Sequence, residues 1–316
     1  MEIAVTKGIG DELPQRKRVL SRRSLFCLVP PLLLAGRALA ARARGPLMWL
    51  ASRKDANVYI FGVGGSPDRK WFNHSIESAV NASKEVWGES PVGPVNISNE
   101  FIQQLGTRAQ GSLFDDLSAQ QTQRVLNLVA KLGFPREQLQ TMKPWYAARV
   151  LSGVLLAKEG TPMETMETPD TVIIDLAEKA GKAVKSEYST WEQFMRFFDQ
   201  MPKPTQVQYL SYELDFAEKG SGAYKAADDA WERSDSDYFV KNVTDMMRRY
   251  PDLYRALLIE RNANWVRRID GFLSAGGEYF IVVGLNHTLG PDSIERQLRE
   301  RGIPVRAVQT KPDSAF

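Results

Sequence analysis

The chain has 316 residues, of which 43% are hydrophobic and 25% are charged, as is usual for a globular protein with a sizeable core. Its net charge of +3 comes from residues 1–40, which carry seven basic and three acidic side chains, whereas residues 41–316 carry 34 basic and 35 acidic ones. A chain so balanced lacks the basic footprint of a nucleic-acid-binding protein, so no nucleic-acid partner is expected.

Residues 1–40 have the parts of an export signal. The basic residues Arg22 and Arg23 precede an apolar segment, 25–35, and Ala38–Ala40 forms an A-x-A cleavage site. The apolar segment has about eleven residues, fewer than the ~20 that a spanning helix needs. The sequence S-R-R-S-L-F resembles a twin-arginine signal, and an ordinary secretory signal with paired arginines is the alternative. We therefore predict a periplasmic or secreted protein whose mature chain has no transmembrane span.

The single cysteine, Cys27, lies inside this predicted signal. The mature chain would then contain no thiol, which excludes disulfides, a catalytic cysteine and any cysteine-ligated metal. Metal binding would have to depend on histidines and carboxylates.

The mature chain opens with a predicted β-hairpin. Strands over 48–50 and 58–61 flank a polar turn at 53–57, and the second strand runs into Gly62–Gly65. A helix over 71–83 and a short strand over 85–87 follow.

The remaining elements are mostly helical. Periodicity predicts helices over 99–106, 115–132, 144–158, 170–180 and most of 190–276, and strands over 183–187, 279–284 and 305–308 around a helix at 291–301. We predict one domain over 41–316, mainly helical at about 98–180 and 190–276.

Two stretches share a strand–Gly-x-x–helix pattern. Val58–Gly65 and Phe280–His287 each end a buried apolar strand at a glycine. If both strands lie side by side, positions 65 and 287 meet at one sheet edge; chance similarity of two buried strands is the alternative. The expected fold is α/β, with α+β character: a small central mixed sheet and a large helical insert.

His287 is the first candidate for chemistry, because it follows the carboxyl end of a buried strand, where α/β sheets place their ligands. It could be a metal ligand or general base, and a capping or core histidine is equally consistent with its position. The other histidine, His74, falls near the start of a helix and is predicted to be a solvated surface residue.

Two carboxylates also follow short strands. Glu89 and Glu187 are placed at the same predicted sheet edge as His287, although each taken alone reads as a capping or surface charge. Together they predict a three-residue cluster.

Arg261 and Asn262 fall within the apolar stripe of a helix predicted over 257–275, so both should face the core. A buried arginine requires a partner, and Glu89 or Glu187 is of the right type. Whether such a pair is structural or orients a substrate stays open.

These residues together resemble the TraB/GumN family, which is related to the Tiki-type metalloproteases. The resemblance spans roughly 45–310 and depends on short segments that occur in the same order along the chain. The most specific of them is Val283–His287 with Gly290. The other segments are Pro46–Leu50, Val58–Gly65, Trp87–Glu89, Lys143–Trp145, Gly181–Glu187, Gln193–Phe194, Tyr254, Glu260–Asn262 and Arg301–Gly302.

The resemblance implies a site made of two G-x-x-H motifs and a glutamate. Here the second motif supplies His287 and the glutamate is Glu89, both as implied metal ligands, while Glu187 and Arg261 match further characteristic positions. The first motif is degenerate, since Gly65 stands where its histidine belongs. Loss of one ligand weakens metal binding severely.

Two functions follow as hypotheses. The first is a non-catalytic or divergent relative that binds a peptide or small-molecule ligand in the family cleft. The alternative is a hydrolase of peptidase type that uses one divalent metal (Zn, Mn or Co) at His287 and Glu89, with Glu89, Glu187 and Arg261 as catalytic residues. The sequence leaves the oligomeric state undefined.

Overall fold

The computed structural model describes residues 45–65, 71–93, 96–158 and 168–310, so the predicted export signal lies outside the described residues. The strands are β1 Met48–Arg53, β2 Ala56–Val63, β3 Glu85–Gly88, β4 Ala183–Ser186, β5 Gly277–Gly284 and β6 Val305–Val308. The α-helices are α1 His74–Ala82, α2 Asn99–Gly106, α3 Ala119–Leu132, α4 Arg136–Gln140, α5 Pro144–Lys158, α6 Pro169–Lys179, α7 Trp191–Gln200, α8 Lys203–Lys219, α9 Ser221–Glu232, α10 Ser236–Arg249, α11 Pro251–Tyr254, α12 Glu260–Ala275 and α13 Ile294–Glu300.

All six strands form one mixed sheet in the order β4-β3-β5-β2-β1-β6. Strands β2, β3, β4 and β5 are mutually parallel, whereas β1 runs antiparallel to β2 and β6. This confirms the predicted α/β fold with a small central mixed sheet. Because four neighbouring strands point the same way, their carboxyl ends meet at one edge.

Strand β5 is the centre of the sheet and is almost wholly apolar. Residues Phe280–Val283 are buried, as expected for a strand covered on both faces. Val63 of β2 lies opposite Gly284, and Gly88 of β3 lies opposite Val282. The two strand–Gly-x-x units therefore lie side by side, as predicted.

The hairpin is also confirmed, with a tighter turn than expected. Met48 pairs with Phe61 and Arg53 with Ala56, which leaves Lys54 and Asp55 as the turn. Lys54 has φ of +50°, the left-handed conformation that such short turns require.

The helical insert has a hydrophobic core of its own beside that of the sheet. Helices α3, α5, α7, α8 and α10 contribute buried side chains to it, including Trp145, Leu151 and Leu210. Among the described residues, no helix combines the length and the apolar character that crossing a membrane would require.

Predicted and observed helices differ mainly at their N-terminal ends. The predicted 115–132 helix is a 3₁₀ turn, Leu113–Asp116, followed by α3, because Ser118 forms a capping box with Gln121. The predicted 291–301 helix starts later, at Ile294, where Ser293 caps it. The predicted 71–83 helix begins at His74 because Asn73 accepts the N-terminal amides.

Candidate functional site

Three candidate residues follow the carboxyl ends of three adjacent parallel strands. Glu89 follows β3, Glu187 follows β4, and His287 lies in a 3₁₀ turn directly after β5. The Glu187 amide donates a hydrogen bond to the Gly88 carbonyl at 2.9 Å, which extends the β3–β4 pairing up to the two glutamates. The sheet register thus brings together residues that lie nearly 200 positions apart.

Arg261 connects the two glutamates. Its Nη1 lies 2.9 Å from Glu89 Oε1, and its Nε lies 3.1 and 3.2 Å from the two carboxylate oxygens of Glu187. Nη2 donates to the same Glu187 carboxylate, and only 7% of the arginine side chain is exposed. Arg261 therefore has two carboxylate partners, where the sequence required at least one. Such charge-assisted, multidentate contacts fix the guanidinium in position.

The helix that carries Arg261 is preceded by an irregular turn. Arg255–Ile259 forms a π-helical turn between α11 and α12, in place of the regular helix predicted from 257. Arg261 is 6% exposed and Asn262 is 1% exposed, which confirms that both face inward. Insertion of a π turn changes the helical phase, and such turns are frequent at functional sites.

The Glu89 carboxylate is held in its ionised form. Burial alone would raise its pKa, but the Arg261 guanidinium, the His287 ring and the Gly284 amide bring the pKa well below the usual range. The amide contributes a hydrogen bond of 2.7 Å to Oε2. Glu89 is consequently a carboxylate anion at neutral pH and has no proton to donate to a leaving group.

His287 is oriented by Asn262. The Asn262 side-chain nitrogen donates to the Asp292 carbonyl at 2.7 Å, so the Asn262 side-chain oxygen faces His287 Nδ1 at 2.5 Å and accepts a hydrogen bond from it. Nε2 then faces Glu89, 3.5 Å from Oε1. Only 4% of the His287 side chain is exposed. The sequence predicts that Asn262 faces the core, but it does not predict that Asn262 contacts His287.

A pocket of about 460 Å³ opens beside the Arg261–Glu187 pair. Its walls combine charged groups with the aromatic rings of Tyr188 and Phe197, and Arg261 lies 5.8 and 5.6 Å from the centroids of these two rings. Burial raises the pKa of Tyr188, which keeps the phenol neutral. The lining residues are Glu187, Tyr188, Phe197, Ala256, Glu260, Arg261, Asn264, Arg267 and Arg268.

Sequence reasoning did not identify most of this pocket. Arg267, Arg268 and Phe197 belong to no motif that the sequence predicts to be functional. Because the pocket forms where α7, α12 and the segment after β4 meet, no local pattern marks it.

The degenerate first motif lies against helix α9. Trp231 Nε1 donates to the Gly62 carbonyl at 2.8 Å, and a Cβ at Gly64 would lie only 2.4 Å from the Trp231 ring. A Cβ at Gly65 would have one described neighbour within 4 Å, the Asp228 carboxylate at 3.1 Å. Adjacent parallel strands β2 and β5 therefore do not by themselves bring position 65 into contact with His287.

His74 does not replace the missing histidine in this arrangement. It begins α1 with its side chain 78% exposed, and it lies 4.0 Å from Glu77 on the same helix turn. The prediction of a solvated surface histidine is confirmed.

The donor set does not fit a metal centre. His287 Nε2 and Glu89 Oε1 face each other, but the same Glu89 oxygen lies 2.9 Å from Arg261 Nη1, so the charge of a buried cation already balances that of the carboxylate. Over residues 45–65, 71–93, 96–158 and 168–310, no three histidine, cysteine or acidic side chains are grouped so as to hold a metal ion. A metal site in a protein generally needs three or more such ligands.

Comparison with known protein families gives a match over most of the chain. The sequence profile of the TraB/PrgY/gumN family matches residues 47–307 of the 316-residue chain. No curated protein and no solved structure gave a significant match.

Proposed function

Because the chain belongs to the TraB/PrgY/gumN family, we propose that it is a divergent member that binds a peptide or small ligand in the pocket beside Arg261. In this proposal the Arg261 network is a rigid wall of the binding site, and it does not perform a reaction.

The observation that carries the proposal is the bridging of Glu89 and Glu187 by a single buried guanidinium. Both carboxylates that could act as acid, base or metal ligand have their charge engaged by Arg261. His287 is enclosed and has its Nδ1 bound to Asn262. The open space adjoins Arg261 and Glu187, and its lining does not include His287. These contacts favour binding over catalysis.

A test of binding uses photo-crosslinking to a library of random tetrapeptides, read by mass spectrometry. Ala256→Trp fills the pocket from its lining, and Ala226→Trp, on an exposed position of α9, is the matched control. We expect wild type and Ala226→Trp to enrich the same peptides and Ala256→Trp to lose them. Equal enrichment by all three proteins would place binding elsewhere and refute the proposal.

The metal-dependent hydrolase is the second candidate, and family membership is what supports it. Among the described residues, His287 and Glu89 face each other as metal donors, and Arg261 would have to release Glu89. Elemental analysis after dialysis against Zn²⁺, Mn²⁺ or Co²⁺ decides between the two. One equivalent of metal in wild type that is absent in His287→Ala would favour the hydrolase, and we expect less than a tenth of an equivalent in both.

We also propose that residues 1–40 export the protein. The support is the basic region, the apolar segment and the A-x-A site in the sequence. A reporter fused to residues 1–40 should reach the periplasm or medium, and Arg22→Lys with Arg23→Lys should block export only if the route is the twin-arginine one. Retention of the wild-type fusion inside the cell would refute export.

A further inference from the structure

The pocket beside Arg261 has an excess of positive charge on its walls. Three arginines and two glutamates line it, a net charge of +1. Arg261 is bound to Glu187, which leaves Arg267, Arg268 and the exposed Glu260 to face a ligand. A pocket of this charge favours an occupant with one negative charge, because a dianion would also meet the two carboxylates.

Arg268 forms cation–π contacts with two tryptophan rings. Its guanidinium lies 4.2 Å from the centroid of the Trp87 ring and 5.4 Å from that of Trp265, and the residue is half-buried. Within the described residues it has neither an ion-pair partner nor a hydrogen-bond acceptor. The indole rings accept no hydrogen bond from this guanidinium, so its N–H donors are available, and a guanidinium can bind a carboxylate through two parallel hydrogen bonds.

The desolvation of Arg268 agrees with this geometry. Burial lowers the pKa of the guanidinium, and the nearby Glu187 charge only partly opposes that effect. An incoming anion would replace the water lost from this cation. Arg136 offers a comparison, because it likewise lies over an aromatic ring, that of Phe114. Unlike Arg268, it is exposed and does not line the pocket.

Another part of the lining is aromatic. Tyr188 and Phe197 pack together with their ring centroids 5.6 Å apart, and both line the pocket. Such rings bind an apolar or aromatic body, so the pocket pairs an anion site with an apolar wall.

We propose that this pocket binds a monovalent carboxylate attached to an aromatic or apolar body, with Arg268 as the anchor for the carboxylate. The inference rests on the proposed binding function and specifies its ligand. A free peptide C-terminus and a small organic acid share this chemistry.

Isothermal titration with matched probes tests the proposal. N-acetylphenylalanine and its amide differ only in the charge of the carboxyl end, and 3-phenylpropanoate carries the same ring and carboxylate without a peptide bond. The proteins compared are wild type, Arg268→Gln, Arg268→Lys and the control Arg136→Gln, all checked for an unchanged circular dichroism spectrum. We expect the acid to bind at least tenfold more tightly than the amide.

The variants distinguish the anchor from general packing. Arg268→Gln should lose about tenfold in affinity for the acid and nothing for the amide, Arg268→Lys should lose less, and Arg136→Gln should match wild type. Stronger binding of N-acetylphenylalanine than of 3-phenylpropanoate would indicate a peptide terminus, and the reverse a small organic acid.

Two results would overturn the inference. If acid and amide bind equally and Phe197→Ala weakens both, the pocket binds ligands without reading a carboxylate, and the proposed binding function survives. If neither acid binds, the carboxylate assignment is wrong, and the peptide-library experiment then decides whether the pocket binds ligands at all.

Discussion

Replacing Arg261 with methionine tests the central ion-pair network directly. The variant keeps an unbranched side chain in the buried site but leaves Glu89 and Glu187 without their shared cation. These carboxylate side chains are 25% and 11% exposed, so water compensates only part of the loss. Removing one partner of a buried ion pair costs about 3–5 kcal/mol, and we expect a loss in that range at pH 7.

The cost should depend on pH with a defined sign. The folded-state pKa of Glu89 is depressed well below 4.5, so its contribution to stability is present above about pH 4.5 and is lost as the pH falls toward the folded pKa. Without Arg261, burial raises the pKa of Glu89. As the pH falls, Glu89 of the variant therefore takes up a proton, which removes the cost of a buried and unpaired carboxylate. The difference between variant and wild type should therefore shrink between pH 7 and pH 4.

Urea unfolding at both pH values measures the difference, with Arg296→Met as control. Arg296 pairs with Glu300 at the surface, where the side chains are 56% and 60% exposed, and its loss should cost less than about 1 kcal/mol. Adding Glu89→Gln and Glu187→Gln to Arg261→Met should recover part of the stability. A cost for Arg261→Met no larger than that of the control, or one independent of pH, would contradict the network described here.

Three further predictions concern stability. Asn262→Leu should cost about 1–3 kcal/mol in urea unfolding, because it removes the acceptor of the buried His287 Nδ1–H; the Asp292 carbonyl keeps its hydrogen bond from Gln297. The exposed Asn264→Leu should cost much less, and equal costs would argue against the contact between Asn262 and His287. Gly64→Ala should lower the free energy of unfolding by about 1–3 kcal/mol, because the added Cβ would collide with the Trp231 ring. Gly222→Ala, where the Cβ would enter open space, should be neutral or stabilising. A Gly64→Ala variant as stable as wild type would mean that the loop can move away from the ring. Burial raises the pKa of Asp228 to about 6 from 3.8, so ionisation of Asp228 destabilises the folded state. Asp228→Asn should therefore be more stable than wild type at pH 7 and equal to it below pH 3.8. The same difference in stability at both pH values would refute this prediction.

Local patterns determined much of the secondary structure. The apolar run at β5, the hairpin and the helices α2 and α5 lie where the sequence predicts them, because each is specified by residues adjacent in the chain. Helix phase determined that Arg261 and Asn262 face inward, since a period of 3.6 residues assigns a side without any knowledge of the partner. The charge of Arg261 then required a carboxylate nearby.

Only the tertiary structure decided how these groups meet. The β3–β4–β5 register places both glutamates on one guanidinium, and sequence spacing carries no information on strand order. Helix α9 lies against the loop after β2, where a second histidine would have belonged. The pocket with Arg268 and Phe197 arises where separate elements pack, so its shape and charge follow from long-range packing that the local sequence does not encode.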